Sequence, residues 1–453
     1  MKAPSKKGGR VQFSSKLSAV LVAAGSSVGL GNIWRFPFVA AENGGGAFLL
    51  VYLGCVLLIG VPVMLAEFVV GRGTHLNAVG AYKKLDNKWS GIGYNGVLAA
   101  FLIMGSYFVV SGWTAEYFVT SITGALGHLS TPEEYKGFFS AFITDPIRPL
   151  VYTWVFIWGT HFIISRGVTK GIERFTKILM PLLFLILIVL SVNSLMMPGG
   201  LVGLKQLFAP DFSKISSDLF LAAIGQAFFS LSIGLGCLIA YSSYFDDKTD
   251  LRETAVHVTI LDTVVALLAG IMIFPAAASV GIETMEGGPE LVFVTLPGIF
   301  NTLPFSMLWS SIFFMLLVVA ALTSTISLHE VVTLYLHEQH HMSRKKATYV
   351  TSISSTVLAS LACMSLGVLP GLEIFGLSMF DFLDTVTAKL LLPVGGLFTC
   401  IFVGWRLDRR FTEGQLLREG ETKSWMVNAL IILLKYLCPI MILAVLLEGF
   451  GVL

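Results

Sequence analysis

Long apolar stretches recur from one end of this chain to the other, and they constrain its fold more than any other feature. A helix needs about 20 mostly apolar residues to cross ~30 Å of hydrocarbon, and in lipid every backbone N–H and C=O must be bonded internally. Eleven stretches are long enough, at about 14–42, 44–71, 90–124, 147–165, 168–196, 216–245, 252–281, 304–338, 345–366, 374–405 and 425–450. Composition agrees, because 55% of residues are hydrophobic and 13% charged, where soluble domains carry roughly a quarter charged residues. The sequence therefore predicts an all-α membrane protein of eleven transmembrane helices, a single transmembrane domain over 1–450.

The charges sort by side of the membrane. Lys2, Lys6, Lys7 and Arg10 precede helix 1, and Arg72, Lys83, Lys84 and Lys88 follow helix 2. Arg166 and Lys170 follow helix 4, Lys248 follows helix 6, and Arg344 to Lys346 follow helix 8. Arg406, Arg409, Arg410, Arg418 and Lys423 follow helix 10, while the alternate loops hold chiefly Lys136, Arg148, Lys205 and Lys214. The positive-inside rule then predicts a cytoplasmic N-terminus and, with an odd segment count, an extracellular C-terminus. Met1 to Arg10 is polar and basic without a small-residue cleavage site, so helix 1 is expected to stay in the product. A net charge of +2 points to no nucleic-acid partner. Cys55, Cys237, Cys363, Cys400 and Cys438 lie scattered in apolar segments without metal or disulfide spacing and read as small buried hydrophobes.

Two segments are interrupted near mid-membrane. Helix 1 contains Gly25-Ser26-Ser27-Val28-Gly29-Leu30-Gly31-Asn32, and helix 6, five segments later, contains Ser230-Leu231-Ser232-Ile233-Gly234-Leu235-Gly236. Small residues also serve close helix packing. Paired interruptions in two halves, with charges beside one of them, point instead to an inverted-repeat transporter whose site lies where the helices unwind. Helices 1–5 and 6–10 would be the repeats, over about 10–200 and 210–410, with helix 11 added at about 425–450.

Arg35 and Glu67 sit within helices 1 and 2, and Asp262, Asp384 and Lys389 within helices 7 and 10. Charges at that depth are costly and mark a pathway or ion site, although Lys389 and Lys435 equally read as packing or snorkelling residues. Unwound helices offer carbonyls to a hard cation such as sodium, and hydroxyls and carboxylates complete a shell. Thr323-Ser324, flanked by small residues in helix 8, adds two hydroxyls, a weak signal alone because such groups commonly bond their own helix.

Gly29-Leu30-Gly31-Asn32-Ile33-Trp34-Arg35-Phe36-Pro37, with Glu42 to Phe48, Gly171-Ile172-Glu173-Arg174 and Gln226 to Ser232, resembles the signature of the neurotransmitter:sodium symporter family. The resemblance runs from about residue 10 to 450, and the chain looks like a bacterial member carrying hydrophobic amino acids. It implies a sodium-coupled symporter importing aliphatic and aromatic L-amino acids by alternating access, in a bacterial inner membrane. Two sodium ions are implied. The first site would use Ser27, Asn32, Ser230 and Asp262 with the substrate carboxylate, and the second Gly25, Val28, Ala320, Thr323 and Ser324. The substrate carboxylate would meet Tyr107 and the amides near Leu30 and Gly31, at a half-helix N-terminus that favours anions. Its amino group would meet carbonyls at Ser27, Phe229 and Ser230, with Ser232 close by. Ile103, Phe229, Leu235, Ser327 and Leu328 would line the side-chain pocket, and an aliphatic Leu235, where the family often has an aromatic, would leave room for tryptophan.

Two departures from the family pattern share one electrostatic reading. Asp262 stands where an asparagine is usual, and Ala266 where animal members have a chloride-binding serine. A fixed carboxylate beside the first ion would do the work of the anion, so chloride-independent transport is expected. Arg35 with Asp384 would form the extracellular gate, as a direct or water-mediated pair. Arg10 with Glu338, near Tyr244, would form the cytoplasmic one, unless Arg10 is only a positive-inside residue. Gly171 and Pro181 bracket a stretch of helix 5 able to unwind and admit water to the second ion site, the alternative being a simple proline kink.

Other classes fit less well. A membrane-embedded enzyme would need convergent catalytic groups, and His329-Glu330 with the His337 to His341 cluster lacks the spacing of a metal pair with an acid. A sensor that binds without transport differs only in flux. A proton-coupled symporter would carry a mid-membrane carboxylate without a cation cage, and the helix 8 hydroxyls argue for sodium. The expected partners are the amino acid and membrane lipid, with no obligatory protein partner.

Overall fold

In a computed structural model, residues 11–281, 287–417, 421 and 425–451 are described. Arg10, the expected cytoplasmic gate residue, lies outside them.

The chain is almost wholly helical. Among the described residues, eight helices are individually long and apolar enough to cross a membrane: Gly46–Thr74, Ala78–Ile122, Val168–Leu195, Leu251–Ser279, Ser306–Gln339, Arg344–Met364, Met379–Arg406 and Trp425–Gly449. Two bent pairs raise the number to ten: Lys16–Ser27 with Gly31–Glu42, at 58°, and Pro132–Thr144 with Arg148–Ser165, at 70°. The expected sixth segment is split into Ser217–Ser230 and Cys237–Ser242, each too short to span by itself. Only if this broken pair is counted as one crossing does the number reach the predicted eleven.

Numbering the crossings in that order, helices 1, 2, 6 and 7 pack together, and helices 3, 4, 8 and 9 form a second group. Helix 5 lies against helices 1, 7 and 8, and helix 11 against helix 10. Glycines set the closest approaches. A Cβ on Gly112 of helix 3 would lie 2.7 Å from the Thr153 backbone of helix 4, and one on Gly71 of helix 2 would lie 2.3 Å from the Ile239 carbonyl of helix 6. Helix association in lipid relies on such close packing because apolar burial gives no preference for protein over lipid tails. Large apolar side chains such as Leu57, Ile178, Leu185 and Ile353 stay on the outside, as lipid requires.

Both interrupted helices break where glycine and serine were read. Helix 1 leaves helical geometry at Val28, whose ψ of 110° is extended. Helix 6 breaks between its two halves, where Ser232, Gly234 and Gly236 have φ of +54°, +84° and +71°. That left-handed region costs an L side chain about 1–2 kcal/mol and glycine little. Ser232 is held there by a bond from its hydroxyl to the Ser26 carbonyl at 2.8 Å, which joins the two breaks. Helix 5 is helical throughout, with a wide π-type turn at Val168–Glu173 and Pro181 inside Arg174–Leu195. The stretch expected to unwind is thus wound here. Gly171 has a packing reason, since a Cβ there would lie 2.1 Å from the Ile163 carbonyl.

Candidate functional site

The two breaks face each other in the interior, and the groups they release converge with helices 2, 3, 7 and 8. Asn32, the second residue of the second half of helix 1, donates its amide to Asp262 Oδ1 at 2.8 Å and to Ser230 Oγ at 2.9 Å. Ser230, the last residue before the helix 6 break, donates to Asp262 Oδ2 at 2.6 Å. Asn32 Oδ1 accepts from the Gly29 amide at 3.0 Å. Tyr52 of helix 2 points its hydroxyl at Ser230 Oγ, 3.5 Å away. Ser27 reaches across to the Leu231 carbonyl at 3.4 Å. Three of the four predicted first-site residues are therefore in direct contact, and Ser27 lines the same cavity.

Charge is the telling feature of this cluster. Asp262 is fully buried, and among the described residues it has no Lys, Arg or His ion-pair partner within 4.0 Å. Removing an ion from water costs several kcal/mol unless an opposite charge compensates. Around it stand one carboxylate, one amide, hydroxyls and released carbonyls, with no group of three or more His, Cys, Asp or Glu among the described residues that could hold a metal ion. All-oxygen donors of low total charge suit a hard cation and not a soft transition metal.

Beside this cluster lies a narrow cavity of about 50 Å³ lined by Ser27, Gly31, Asn32, Ile103, Tyr107, Phe229, Ser230, Ser232, Leu235, Ser327 and Leu328, and by Ser26, Gly29, Cys237, Ser324 and Leu392. Of the predicted binding residues only Leu30 is missing from the wall, and its amide donates to Tyr107 Oη at 3.3 Å. A hydroxyl and a half-helix N-terminus thus converge at one end of the cavity. Ile103, Phe229, Leu235 and Leu328 add apolar side chains to the lining. Glycine leaves room for it: a Cβ on Gly29 would sit 2.5 Å from Ser324 Oγ and 3.1 Å from Tyr107 Oη, and one on Gly31 would sit 2.6 Å from the Phe229 ring.

Of the residues expected at the second site, Val28, Ala320 and Thr323 come together. Thr323 donates to the Val28 carbonyl at 3.3 Å and to the Ala320 carbonyl at 2.9 Å, bridging helices 8 and 1. Ser324 turns toward Gly29 and the central cavity. Gly25 faces helix 5, where an added Cβ would lie 3.1 Å from Thr176 and 3.6 Å from Met180.

Of the expected gates, only the outer pair lies wholly within the described residues. Arg35 and Asp384 are not within 4.0 Å of each other; the Arg35 guanidinium lies 4.6 Å over the centre of the Phe229 ring, a cation–π contact. Glu338 accepts from the Asn77 amide at 2.7 Å and from its side chain at 2.8 Å. Tyr244 donates at 2.6 Å to Glu330, and Glu330 pairs with Arg344 at 2.6 Å. Helices 6, 8 and 9 are joined by that triad, and the Phe13 amide donates to the Tyr244 carbonyl at 3.1 Å.

The sequence marks Glu67 only as a costly charge of a pathway or ion site. The structure puts its Oε1 2.7 Å from the Gly234 amide, inside the helix 6 break, while Oε2 has no protein partner. A carboxylate buried in helix 2 was the available signal; its target, 167 positions away, was not.

Comparison with known proteins gives the same architecture. The model of the sodium:neurotransmitter symporter family matches residues 10–137 and 143–452. An uncharacterized sodium-dependent transporter of Bacillus subtilis (strain 168), YhdH, is 35% identical over 98% of both chains. One of Haemophilus influenzae is 37% identical over 96% of this chain and 97% of its own. Human sodium- and chloride-dependent GABA transporter 2 is 26% identical over 87% of this chain and 73% of its own. Among solved structures, that of MhsT in complex with L-phenylalanine superposes with a TM-score of 0.89 at 43% identity, covering 98% of this chain and all of the other.

Proposed function

The chain belongs to the sodium:neurotransmitter symporter family, a family of secondary transporters and not enzymes, and we propose that it imports hydrophobic L-amino acids by sodium symport. The observation that carries this reading is the fully buried Asp262, which among the described residues has no cationic side-chain partner and is held by Asn32 and Ser230, beside a cavity lined by both polar and apolar side chains. The solved structure of MhsT holding L-phenylalanine supports an amino acid as the cargo.

In this mechanism a first sodium ion sits among Ser27, Asn32, Ser230 and Asp262 and takes a further ligand from the substrate carboxylate. Tyr107 Oη and the Leu30 and Gly31 amides hold that carboxylate, and carbonyls at Ser27, Phe229 and Ser230 receive the ammonium group. Each ligand then raises the other's affinity by the same free energy. Among the described residues no charged side chain lines the cavity, so aliphatic and aromatic side chains are favoured. Because the cavity is narrow, Phe229 and Leu328 must shift to admit a large ring. Asp262 supplies a negative charge at the first ion, so chloride is not required.

A second ion between Gly25, Val28, Ala320, Thr323 and Ser324 ties helix 1 to helix 8 while the inner side is shut. Its release favours inward opening, with Gly171 and Pro181 framing the helix 5 segment that loosens. Arg35 and Asp384 close the outer side in another state of the cycle, and the inner closure uses Tyr244, Glu330 and Arg344 alongside Glu338. A membrane potential of about 100 mV adds roughly 2.3 kcal/mol per sodium. By its basic loops the N-terminus lies in the cytoplasm, and the protein sits in the inner membrane.

The experiment is equilibrium binding of labelled phenylalanine by purified protein across a sodium titration, and the converse. Equal reciprocal shifts in the two affinities are expected; phenylalanine binding indifferent to sodium overturns the coupling.

A further inference from the structure

Between the start of helix 3 and the middle of helix 10 lies a second cavity, of about 540 Å³, whose walls include Lys88, Trp89, Asn95, Gly395 and Phe398. It is ten times the central cavity by the same measure, falls within the range of small-molecule sites, and takes no part in the transport site. Gly91 forms part of its wall, and a Cβ added there meets nothing within 4 Å. Phe398 is 43% exposed, so the cavity opens outward onto the surface that faces lipid.

We propose that this groove holds one acyl chain of an anionic phospholipid whose phosphate is met by Lys88. Charge and depth select that occupant. Lys88 lies on the basic side of the membrane, as do Lys84, Arg406 and Arg410, and among the described residues its ammonium has no acidic partner within 4.0 Å. The nearby Asp86 is bonded by Arg406 at 2.8 Å and shares its single charge between Arg406 and Lys88, so it does not neutralise both. Each lysine near an anionic leaflet contributes about 1 kcal/mol. Trp89 stands at the same level, where aromatic side chains occupy the headgroup boundary. From Lys88 to Asn95 the groove follows helix 3 for ~10 Å, inward from that boundary.

Its floor is the back of the transport site. Asn95 donates to the Leu391 carbonyl at 2.8 Å, and a Cβ on Gly395 would lie 2.9 Å from Asn95 Nδ2 and 2.7 Å from the Gly234 carbonyl in the helix 6 break. A bound chain is therefore one residue layer from the hinge.

The test uses full-length protein in vesicles of phosphatidylglycerol and phosphatidylcholine, followed by gentle extraction and native mass spectrometry. Gly91→Leu adds bulk to the groove wall at a position where a Cβ meets nothing within 4 Å, and Lys88→Glu reverses the charge. Wild type is expected to retain one phosphatidylglycerol in preference to phosphatidylcholine; Lys88→Glu lowers that preference about fivefold or more, and Gly91→Leu abolishes retention of both lipids. Sodium-dependent phenylalanine binding by each variant reports that it has folded, independently of lipid. Equal phosphatidylglycerol retention by wild type and Gly91→Leu overturns the proposal, as does retention of phosphatidylcholine equal to phosphatidylglycerol by wild type.

Discussion

Ser230 donates its hydroxyl to Asp262 at 2.6 Å, fastening the end of the first half of helix 6 to helix 7 where the chain leaves helical geometry. The bond aims an acidic oxygen and a hydroxyl oxygen at one volume, shared with Asn32. Replacing Asp262 by Asn keeps the shape and removes the charge. Hydrogen bonds to charged groups contribute about 1.5–3 kcal/mol, so Asp262→Asn should raise the sodium concentration for half-maximal phenylalanine binding by roughly tenfold or more, as a scintillation-based titration would read. It should also make chloride stimulatory where the wild type ignores it.

Glu67 holds the Gly234 amide from inside the break. Glu67→Gln keeps an acceptor and is expected to lose little stability. Glu67→Ala strands a buried N–H, at about 1–3 kcal/mol, and thermal unfolding in detergent should show the larger fall in Tm for alanine than for glutamine.

Glycine at position 29 is set by Ser324 and Tyr107. Because a Cβ there would approach them to 2.5 and 3.1 Å, Gly29→Ala should weaken phenylalanine binding about tenfold or more, while Gly159→Ala, at a position where a Cβ meets nothing within 4 Å, leaves it unchanged. A one-residue shift in packing worth 1.4 kcal/mol is a tenfold change.

Size selectivity should follow Leu235. Leu235→Phe narrows the cavity and is expected to raise the Kd for tryptophan at least tenfold relative to leucine, the order that a few methylenes of mismatch produce. Competition against labelled leucine gives both values. A parallel loss for both amino acids would contradict the assignment of Leu235 to the side-chain pocket.

The inner closure rests on Tyr244, whose hydroxyl bonds Glu330 at 2.6 Å. Tyr244→Phe removes one bond to a buried carboxylate that keeps its Arg344 partner. Release of bound phenylalanine toward the inside of oriented proteoliposomes should quicken about tenfold, with equilibrium stability little changed.

The breaks in helices 1 and 6 were legible because glycine and serine interrupt two segments in corresponding positions of the two halves, and both breaks fall on those residues. Asn32, Ser230 and Asp262 were legible through their motifs, and they meet. What stayed hidden depended on contacts between distant segments. Nothing in the sequence pairs Glu67 with an amide of helix 6, or Glu330 with Tyr244. Pro181 reads as a break point, yet it sits in an unbroken helix here, because neighbouring helices in a bundle keep such a turn wound. Arg35 reads as an ion-pair partner, and the ring of Phe229 takes its face, a contact that depends on where helix 6 ends.

Uptake of labelled phenylalanine into proteoliposomes tests the central claim most directly, with sodium, potassium and proton gradients imposed in turn and chloride replaced by gluconate. Accumulation above the external concentration only with an inward sodium gradient, unaltered by gluconate, is the predicted result. Equal uptake under potassium, or accumulation driven by protons alone, would contradict it.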